Sequence, residues 1–575
     1  MTNSTNNAVI AKYEAWLNDP IIDAATKEEL RGIAGQEKEI TDRFYRDLEF
    51  GTGGLRGVMG AGTNRLNAYT VGKATQGLAN WLLSGATADG TRPSVVIAHD
   101  SRNHSPEFAL DSALVLAGNG ITTYLFSALR PTPQLSYAVR ALNASSGIVI
   151  TASHNPPEYN GYKAYGADGC QLIPEEAEQV ITSIGQVTGF DEVKRISREE
   201  AEAQGLLRWL GEEADQQYID TVVAQSLNAD LLKDGIGEKF SVVFTPLHGT
   251  GNMPIREVLK QVGFSNVHIV PEQEQPDGYF STVKSPNPEE REAFTLAIQL
   301  GQQVDADIII GTDPDADRMG AVVKNNEGEY VVLTGNQSGA LMVHYVLSQL
   351  KERGQLPDNG VVIKTIVTSE LGADIARSYG AAVENTLTGF KYIGEKMTQY
   401  EQTGEHSFLF GYEESYGYLT GTYARDKDAI VAALLICEAA AYYSSQGKTL
   451  YDVLQELYAK FGFYLEALES RTLKGLDGVQ KIAAIMNDWR QNPPVEIGGV
   501  KVESVLDYGK GHDGLRPENV LKYLLEDGSW FCLRPSGTEP KIKVYFGVKG
   551  ESNDTAAAAL QTLRTAVMER VDRSE

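Results

Sequence analysis

The chain has 575 residues, 42% of them hydrophobic and 22% charged, with a formal net charge of −26. At roughly 100–200 residues per domain, that length calls for about three to five domains, folded throughout and separated by clefts. The acidic balance argues against nucleic acid and anionic membrane as partners, which need a basic face to displace counterions, and leaves a small anion held by a few gathered cations.

The N-terminus is polar and rich in Asn and Thr, without the basic stretch and apolar core of a signal peptide. Cys170, Cys437 and Cys532 are few and widely spaced, which fits neither a disulfide framework nor a CxxC zinc site. Unpaired thiols in a reducing cytoplasm are the expectation.

In chain order, short β-branched runs at 94–98, 147–150, 241–244, 307–311, 360–366 and 407–410 alternate with longer helical patterns. That alternation predicts α/β domains with mixed, mainly parallel sheets. The run at 147–150 leads straight into Thr151-Ala152-Ser153-His154-Asn155-Pro156-Pro157, a serine on a turn braced by two prolines. Pro288 and Glu289 are expected to open a helix with Phe294, Ala297, Ile298 and Gln302 on one face, feeding the apolar strand 307–311. Asp313-Pro314-Asp315-Ala316-Asp317 then lies at that strand's carboxyl end, where open α/β sheets bind ligands. The strand at 407–410 ends likewise in Gly411-Tyr412-Glu413-Glu414-Ser415. The apolar run 430–437 stops at Glu438, short of the ~20 residues that cross a bilayer, and reads as a buried helix. Beyond 462 the pattern becomes α+β, with strands at 530–533 and 541–548 and an alanine-rich helix at 554–569. The expected division is 1–215, 216–325, 326–462 and 463–575, with joints at polar helical stretches and composition changes.

Three converging carboxylates need a cation. The D-x-D-x-D spacing opens an EF-hand, but Arg318 stands where that loop needs Gly and Lys324 where it needs Glu. Oxygen ligands without His or Cys suit Mg²⁺, which takes its remaining ligands from water and phosphate. Ser153 does not sit in a G-x-S-x-G elbow, and Gly447-Lys448-Thr449 lacks the first glycine of a P-loop, so acyl transfer and nucleotide-dependent phosphorylation lose their usual handles. Arg534-Pro535-Ser536-Gly537-Thr538-Glu539-Pro540-Lys541 sets a guanidinium, two hydroxyls and backbone amides in one turn, which suits a phosphate dianion. Glu413 and Ser415 offer an acceptor and a mixed donor/acceptor.

Taken together and in this order, the serine, aspartate, Gly411-Tyr412-Glu413-Glu414-Ser415-Tyr416-Gly417 and Arg534–Pro540 motifs resemble the four signatures of the α-D-phosphohexomutase superfamily. Gly51-Thr52-Gly53-Gly54-Leu55-Arg56-Gly57 is similar to its N-terminal substrate loop. The resemblance implies four domains around a central cleft, three of them similar α/β domains and the fourth a smaller α+β domain, each supplying one motif. It implies that Ser153 carries phosphate, that Asp313, Asp315 and Asp317 bind Mg²⁺ with it, that Glu413 and Ser415 hold the sugar, and that Arg534, Ser536, Gly537 and Thr538 grip the distal phosphate. Arg56, Lys163, Arg318, Lys391, Lys427 and Arg534 supply the cations, with Lys163 and His154 as candidates for proton transfer. Thr388-Gly389-Phe390-Lys391 and the doubled acid before Ser415 look like the phosphoglucomutase and phosphopentomutase branch. The expected reaction is interconversion of glucose 1-phosphate and glucose 6-phosphate through glucose 1,6-bisphosphate, in a monomer or homodimer. Phosphopentomutase, phosphomannomutase, an aspartate-dependent phosphatase and a non-catalytic sugar-phosphate sensor are the competing readings. Two departures stand out: Pro314 and Ala316 replace glycines that many relatives use, and Gly417 stands where phosphomannomutase-like members carry His.

Overall fold

The computed structural model describes residues 3–51, 53–85, 92–473, 476–536 and 541–573. Four sheets follow one another along the chain. The first runs, in spatial order, Gly54–Val58, Tyr159–Tyr165, Ser146–Ile150, Ser94–His99, Thr122–Phe126 and Leu207–Leu210. Its last four strands pair in parallel, and the pairings that involve Tyr159–Tyr165 are antiparallel. Ser146–Ile150 is buried along its whole length, as an apolar run covered on both faces by helices must be.

The second sheet orders Tyr330–Val332, Met319–Lys324, Ile308–Thr312, Val242–Thr245 and Val267–Ile269, and divides evenly into two antiparallel and two parallel pairings. The third orders Ala382–Thr386, Gly360–Thr365, Ser407–Tyr412 and Tyr418–Leu419, with only the last pairing antiparallel. The fourth has six strands, all antiparallel, from Phe463–Thr472 at one edge to Glu496–Ile497 at the other. Helix Glu212–Val223 spans the expected joint at 215/216, and the strand Tyr330–Val332, beyond the joint at 325/326, stays with the second sheet.

One apolar core runs continuously through the second and third units, and its spine is helix Ala429–Ser444, the expected buried helix. The first and fourth units have cores of their own. Among the described residues, no helix is long and apolar enough to cross a membrane.

The motif loops share a local design: each is the turn of a hairpin, leaving a buried strand and returning antiparallel beside it. Ser146–Ile150 returns as Tyr159–Tyr165, Ile308–Thr312 as Met319–Lys324, and Ser407–Tyr412 as Tyr418–Leu419. Each of these three turns contains a non-glycine residue in the left-handed region: Ser153 at φ 51°, Ala316 at φ 50° and Tyr416 at φ 67°. Such residues cost roughly 1–3 kcal/mol apiece and persist only where surrounding contacts hold them. The expected helix at Pro288 is shorter than its pattern suggests. A 3₁₀ turn spans Arg291–Phe294, the α-helix begins at Thr295, and Gln302 is exposed, which leaves Glu289 in a loop facing Arg318.

Candidate functional site

Thr151 leaves its strand with its hydroxyl donating to Asp100 Oδ2 at 2.6 Å and accepting from the Ser153 N–H at 2.8 Å. That pair turns the backbone so that Ser153, 3% exposed, reaches into the second unit. Its hydroxyl donates to Asp313 Oδ2 at 2.7 Å and lies 3.2 Å from His154 Nδ1. Burial, then the charges of Arg318 and Arg56, hold the His154 imidazole well below its ordinary pKa.

Asp313, Asp315 and Asp317 each offer a carboxylate oxygen within 4.8 Å of the others, and all three are buried. Asp313 Oδ1 accepts from the N–H groups of Asp317 (3.1 Å) and Arg318 (3.0 Å), which closes the turn. Asp315 Oδ2 accepts from Thr132 Oγ1 at 2.8 Å. Asp315 Oδ1 and Asp317 Oδ1 are buried with no hydrogen-bond partner among the described residues. Orphaned oxygens on converging carboxylates are costly without a cation, and an all-oxygen donor set fits Mg²⁺.

Basic side chains from two other units meet this cluster. Lys163 Nζ donates to Asp315 Oδ2 at 2.7 Å and Asp317 Oδ2 at 3.1 Å, and Lys427 Nζ lies 3.1 Å from Asp317 Oδ2 and 3.2 Å from Asp426 Oδ1. Arg318 pairs with Glu289, and its Nε lies 3.9 Å from Asp317 Oδ1. Burial pushes Asp313 well above the usual carboxylate range, with Asp315 and Asp317 adding like-charge repulsion. Burial also acts upward on Asp317, but Lys163, Lys427 and Arg318 outweigh it and hold that carboxyl below its ordinary value. Lys163 and Lys427 are raised in turn: desolvation is the largest influence on each, and the facing carboxylates overcome it.

In the third unit Glu413 directly follows the strand Ser407–Tyr412, is 5% exposed, and accepts from the Gly389 N–H at 3.0 Å. Gly389 sits at φ 123° before helix Phe390–Thr403, a conformation that requires glycine. Burial pushes Glu413 up to about 7. Thr388 Oγ1 is buried without a hydrogen-bond partner among the described residues, and Ser415 is half-buried. Lys391 Nζ lies 5.2 Å from the Tyr392 ring centroid, with its pKa lowered first by burial. Gly417 has a steric reason to be glycine: a Cβ there would lie 2.2 Å from Lys427 Cδ. The space that a side chain would fill is the path by which Lys427 reaches Asp317.

Arg534 is the penultimate residue of the strand Trp530–Pro535, and its Nε donates to Glu518 Oε1 at 3.2 Å. Ser536 N–H donates to the Lys541 carbonyl at 2.7 Å, and Gly537 and Thr538 lie outside the described residues. Arg56 NH1 reaches Asn155 Oδ1 at 3.4 Å.

The structure thus brings Ser153, His154, Lys163, the three aspartates, Arg318 and Lys427 into one contact network drawn from three units. Arg534 pairs with Glu518, not with that network. Sequence reasoning passed over Asp100, Arg102, Glu289 and Asp426. The first two follow the carboxyl end of strand Ser94–His99, so the placement argument used for the other loops reaches them too. Glu289 carried only a helix-start signal.

Four consecutive domain models of phosphoglucomutase/phosphomannomutase match the chain: α/β/α domain I at 47–189, domain II at 216–328, domain III at 334–461 and the C-terminal domain at 471–563. A phosphoglucomutase of Staphylococcus haemolyticus is 40% identical over 516 residues, covering 88% of this chain and 91% of its own length. Two solved structures share the fold. The Paramecium phosphoprotein parafusin, a phosphoglucomutase, has TM-score 0.69 and 19% identity, covering 92% of this chain and 95% of its own. The Aspergillus fumigatus N-acetylphosphoglucosamine mutase, solved with GlcNAc-6P and magnesium, has TM-score 0.51 and 14% identity, covering 91% and 96%. With its four motif loops in family order, the chain belongs to the phosphoglucomutase/phosphomannomutase family of the α-D-phosphohexomutase superfamily.

Proposed function

We propose that this protein is a Mg²⁺-dependent phosphoglucomutase that interconverts glucose 1-phosphate and glucose 6-phosphate, with Ser153 as the phosphoryl carrier. The observation that carries the reading is the seat of Ser153 Oγ, 2.7 Å from Asp313 in a buried cluster of three aspartates faced by Lys163 and Lys427. A hydroxyl held there, once phosphorylated, sets its phosphoryl group among cations, which suits phosphoryl transfer, a reaction governed by positioning and charge.

In the cycle, phosphorylated Ser153 gives its phosphoryl group to the free hydroxyl of a sugar monophosphate. The P–O bond to Ser153 breaks as the new P–O bond to the sugar forms, and the hydroxyl proton passes to a base. Glucose 1,6-bisphosphate then turns end for end, and its other phosphoryl group returns to Ser153. Asp313, Asp315 and Asp317 would hold Mg²⁺, which when bound neutralises charge on the transferring group. The magnesium found with the fungal mutase supports that assignment. His154, in contact with Ser153 Oγ, and Lys163 beside the aspartates are placed for proton transfer. Glu413, with Ser415 beside it, would accept from sugar hydroxyls, and Arg56, Arg318, Thr388, Gly389, Lys391, Lys427, Arg534 and Ser536 would bind the rest of the phosphosugar. The three cysteines are buried and unpaired, which fits a cytoplasmic location.

Isomerisation of glucose 1-phosphate with trace glucose 1,6-bisphosphate tests the reading. A mutase isomerises, a phosphatase releases inorganic phosphate and a sensor does neither. Ser153→Ala should lose both turnover and the single phosphate seen by intact mass; full turnover in that variant would place the carrier elsewhere. A higher kcat/KM for ribose 1-phosphate or mannose 1-phosphate would move the assignment within the family, since one misplaced hydroxyl costs roughly 1–3 kcal/mol.

A further inference from the structure

Ser153 and Asp313 belong to different units of the chain yet meet at 2.7 Å, so the register between those units is set by contacts outside the pair. Arg102, 1% exposed, lies beneath the serine loop. Its guanidinium donates to the carbonyls of Ser153 (2.6 Å), Pro156 (2.9 Å), Tyr159 (3.0 Å) and Asn155. Its Nε lies 3.3 Å from Asp100 Oδ2, the oxygen that also accepts from Thr151. A planar fork of five N–H donors can serve four carbonyls of one loop at once, and a lysine ammonium with three donors cannot.

The face of the same guanidinium rests against Phe280 of the second unit, 4.9 Å from the ring centroid. Phe280 is 1% exposed and held at φ 48°. Its segment docks closely on the first unit, for a Cβ at Gly278 would lie 2.6 Å from Asn103 N. Two residues on, Thr282 Oγ1 is bonded by His248 Nε2 (2.8 Å) and Gln273 Nε2 (3.1 Å), and Gln273 Oε1 accepts from Thr245 Oγ1 at 2.6 Å. Thr245 pairs in the sheet with Gly311, one residue from the end of the strand that carries the aspartates. The connection from nucleophile loop to aspartate loop is therefore continuous, and it crosses between units at the Arg102–Phe280 cation–π contact, beside the close approach of Gly278 to Asn103.

We infer that Arg102 and Phe280 form a strut that holds Ser153 in register with the aspartate loop, so that both are positioning residues for phosphoryl transfer although neither touches the sugar. The inference rests on Ser153 being the carrier. Wild-type turnover and its phosphoserine are therefore measured first, and their absence would remove the reading of the site rather than the strut.

The test compares Arg102→Lys, Phe280→Leu and the double variant for kcat and KM on glucose 1-phosphate, phosphoserine occupancy by intact mass, and melting temperature. Phe280→Leu keeps apolar bulk and removes the ring face, and it should lower kcat by ~5- to 30-fold, the worth of a desolvated cation–π contact, with KM within about twofold. Arg102→Lys should lower kcat further with the same unchanged KM, because the loop shifts while the sugar contacts stay. Both residues act through one contact, so the double variant should be no slower than Arg102→Lys. Wild-type kcat in folded Phe280→Leu, a loss confined to KM, or losses that multiply in the double variant would overturn the strut. If Arg102→Lys does not fold, Phe280→Leu decides alone by whether kcat falls at constant KM.

Discussion

Gly417→Ala should slow turnover sharply, and the reason can be worked atom by atom. The added Cβ would lie 2.2 Å from Lys427 Cδ and 2.7 Å from Cγ, against ~3.5–4.0 Å for carbon atoms in contact. The Lys427 stem must therefore move by more than ~1 Å, and its ammonium holds Asp317 at 3.1 Å and Asp426 at 3.2 Å, so it cannot keep both. Gly417 has no positive φ, so alanine meets no backbone penalty and the main effect passes through the lysine, with Glu413 Oε2 next at 3.4 Å in ordinary contact. A displacement near 1 Å at a reacting centre costs on the order of 10²-fold in rate, or about 2.7 kcal/mol of barrier. The assay is kcat for glucose 6-phosphate formation from glucose 1-phosphate in Gly417→Ala, Lys427→Ala and the double variant. The double should match Lys427→Ala, since once the stem is gone the methyl group has nothing to displace. A kcat within about twofold of wild type in Gly417→Ala, or losses that multiply in the double, would refute the reasoning.

Three further outcomes follow from the geometry. Asp315→Asn replaces a charged oxygen donor with an amide and should raise the Mg²⁺ concentration for half-maximal rate by about tenfold or more, read from a metal titration after chelation. Glu413, pushed up to about 7 by burial, loses its carboxylate as pH falls through that value, so kcat/KM should drop on the acid side with an apparent pKa near it, a limb that Glu413→Gln flattens. Stability runs the other way: because the folded-state pKa is raised, the contribution is full below the ordinary value of 4.5 and is lost as pH rises through about 7, so Glu413→Gln should raise Tm at ~pH 8 and not at ~pH 5. Leu434→Ala, at a fully buried position of helix Ala429–Ser444, should cost about 2–5 kcal/mol in urea unfolding; a loss below ~1 kcal/mol would mean the core is looser there than its burial indicates.

The α/β alternation, the buried helix and the strand before each motif were legible because each rests on local periodicity or on one fully apolar run. The hairpin returns were not. Tyr418–Leu419 is two residues long, too short to show any period, and the turn before it depends on Tyr416 adopting a left-handed conformation that no propensity favours. The helix placed at Pro288 failed for the opposite reason: its apolar spacing continues through a 3₁₀ turn, where spacing alone cannot show which hydrogen bonds close. Ser153, the aspartates and Glu413 stood out as candidates because each sits in a dense motif. Arg102 could have been flagged by its place after a strand end, but its role could not: the carbonyls it bonds lie 51 to 57 residues away along the chain, as the partner of Glu289 lies 29 away, and both are met only after folding. Gly417 was noticed as a departure from relatives, and its cause emerged only from the path of Lys427.

A chain with net charge −26 that handles phosphosugars poses an electrostatic problem, and the site shows how local placement answers it. Three carboxylates are buried together, and Lys163, Arg318 and Lys427 from three units face them while also pairing with Glu289 and Asp426, so the cations offset much of the negative charge before any metal or phosphate arrives. A divalent cation and a phosphoserine dianion added together would leave that balance unchanged. Either one alone would upset it by about two charges in a low-dielectric cleft, where the penalty is far larger than in water. The arrangement therefore couples the two: metal affinity should be higher in the phosphorylated enzyme than in the dephosphorylated one, while the acidic surface elsewhere disfavours polyanions. Mg²⁺ titrations of the two forms, separated by charge and followed by intrinsic fluorescence, would measure the coupling. Equal affinities would mean that the basic side chains, and not the metal, compensate the phosphoserine.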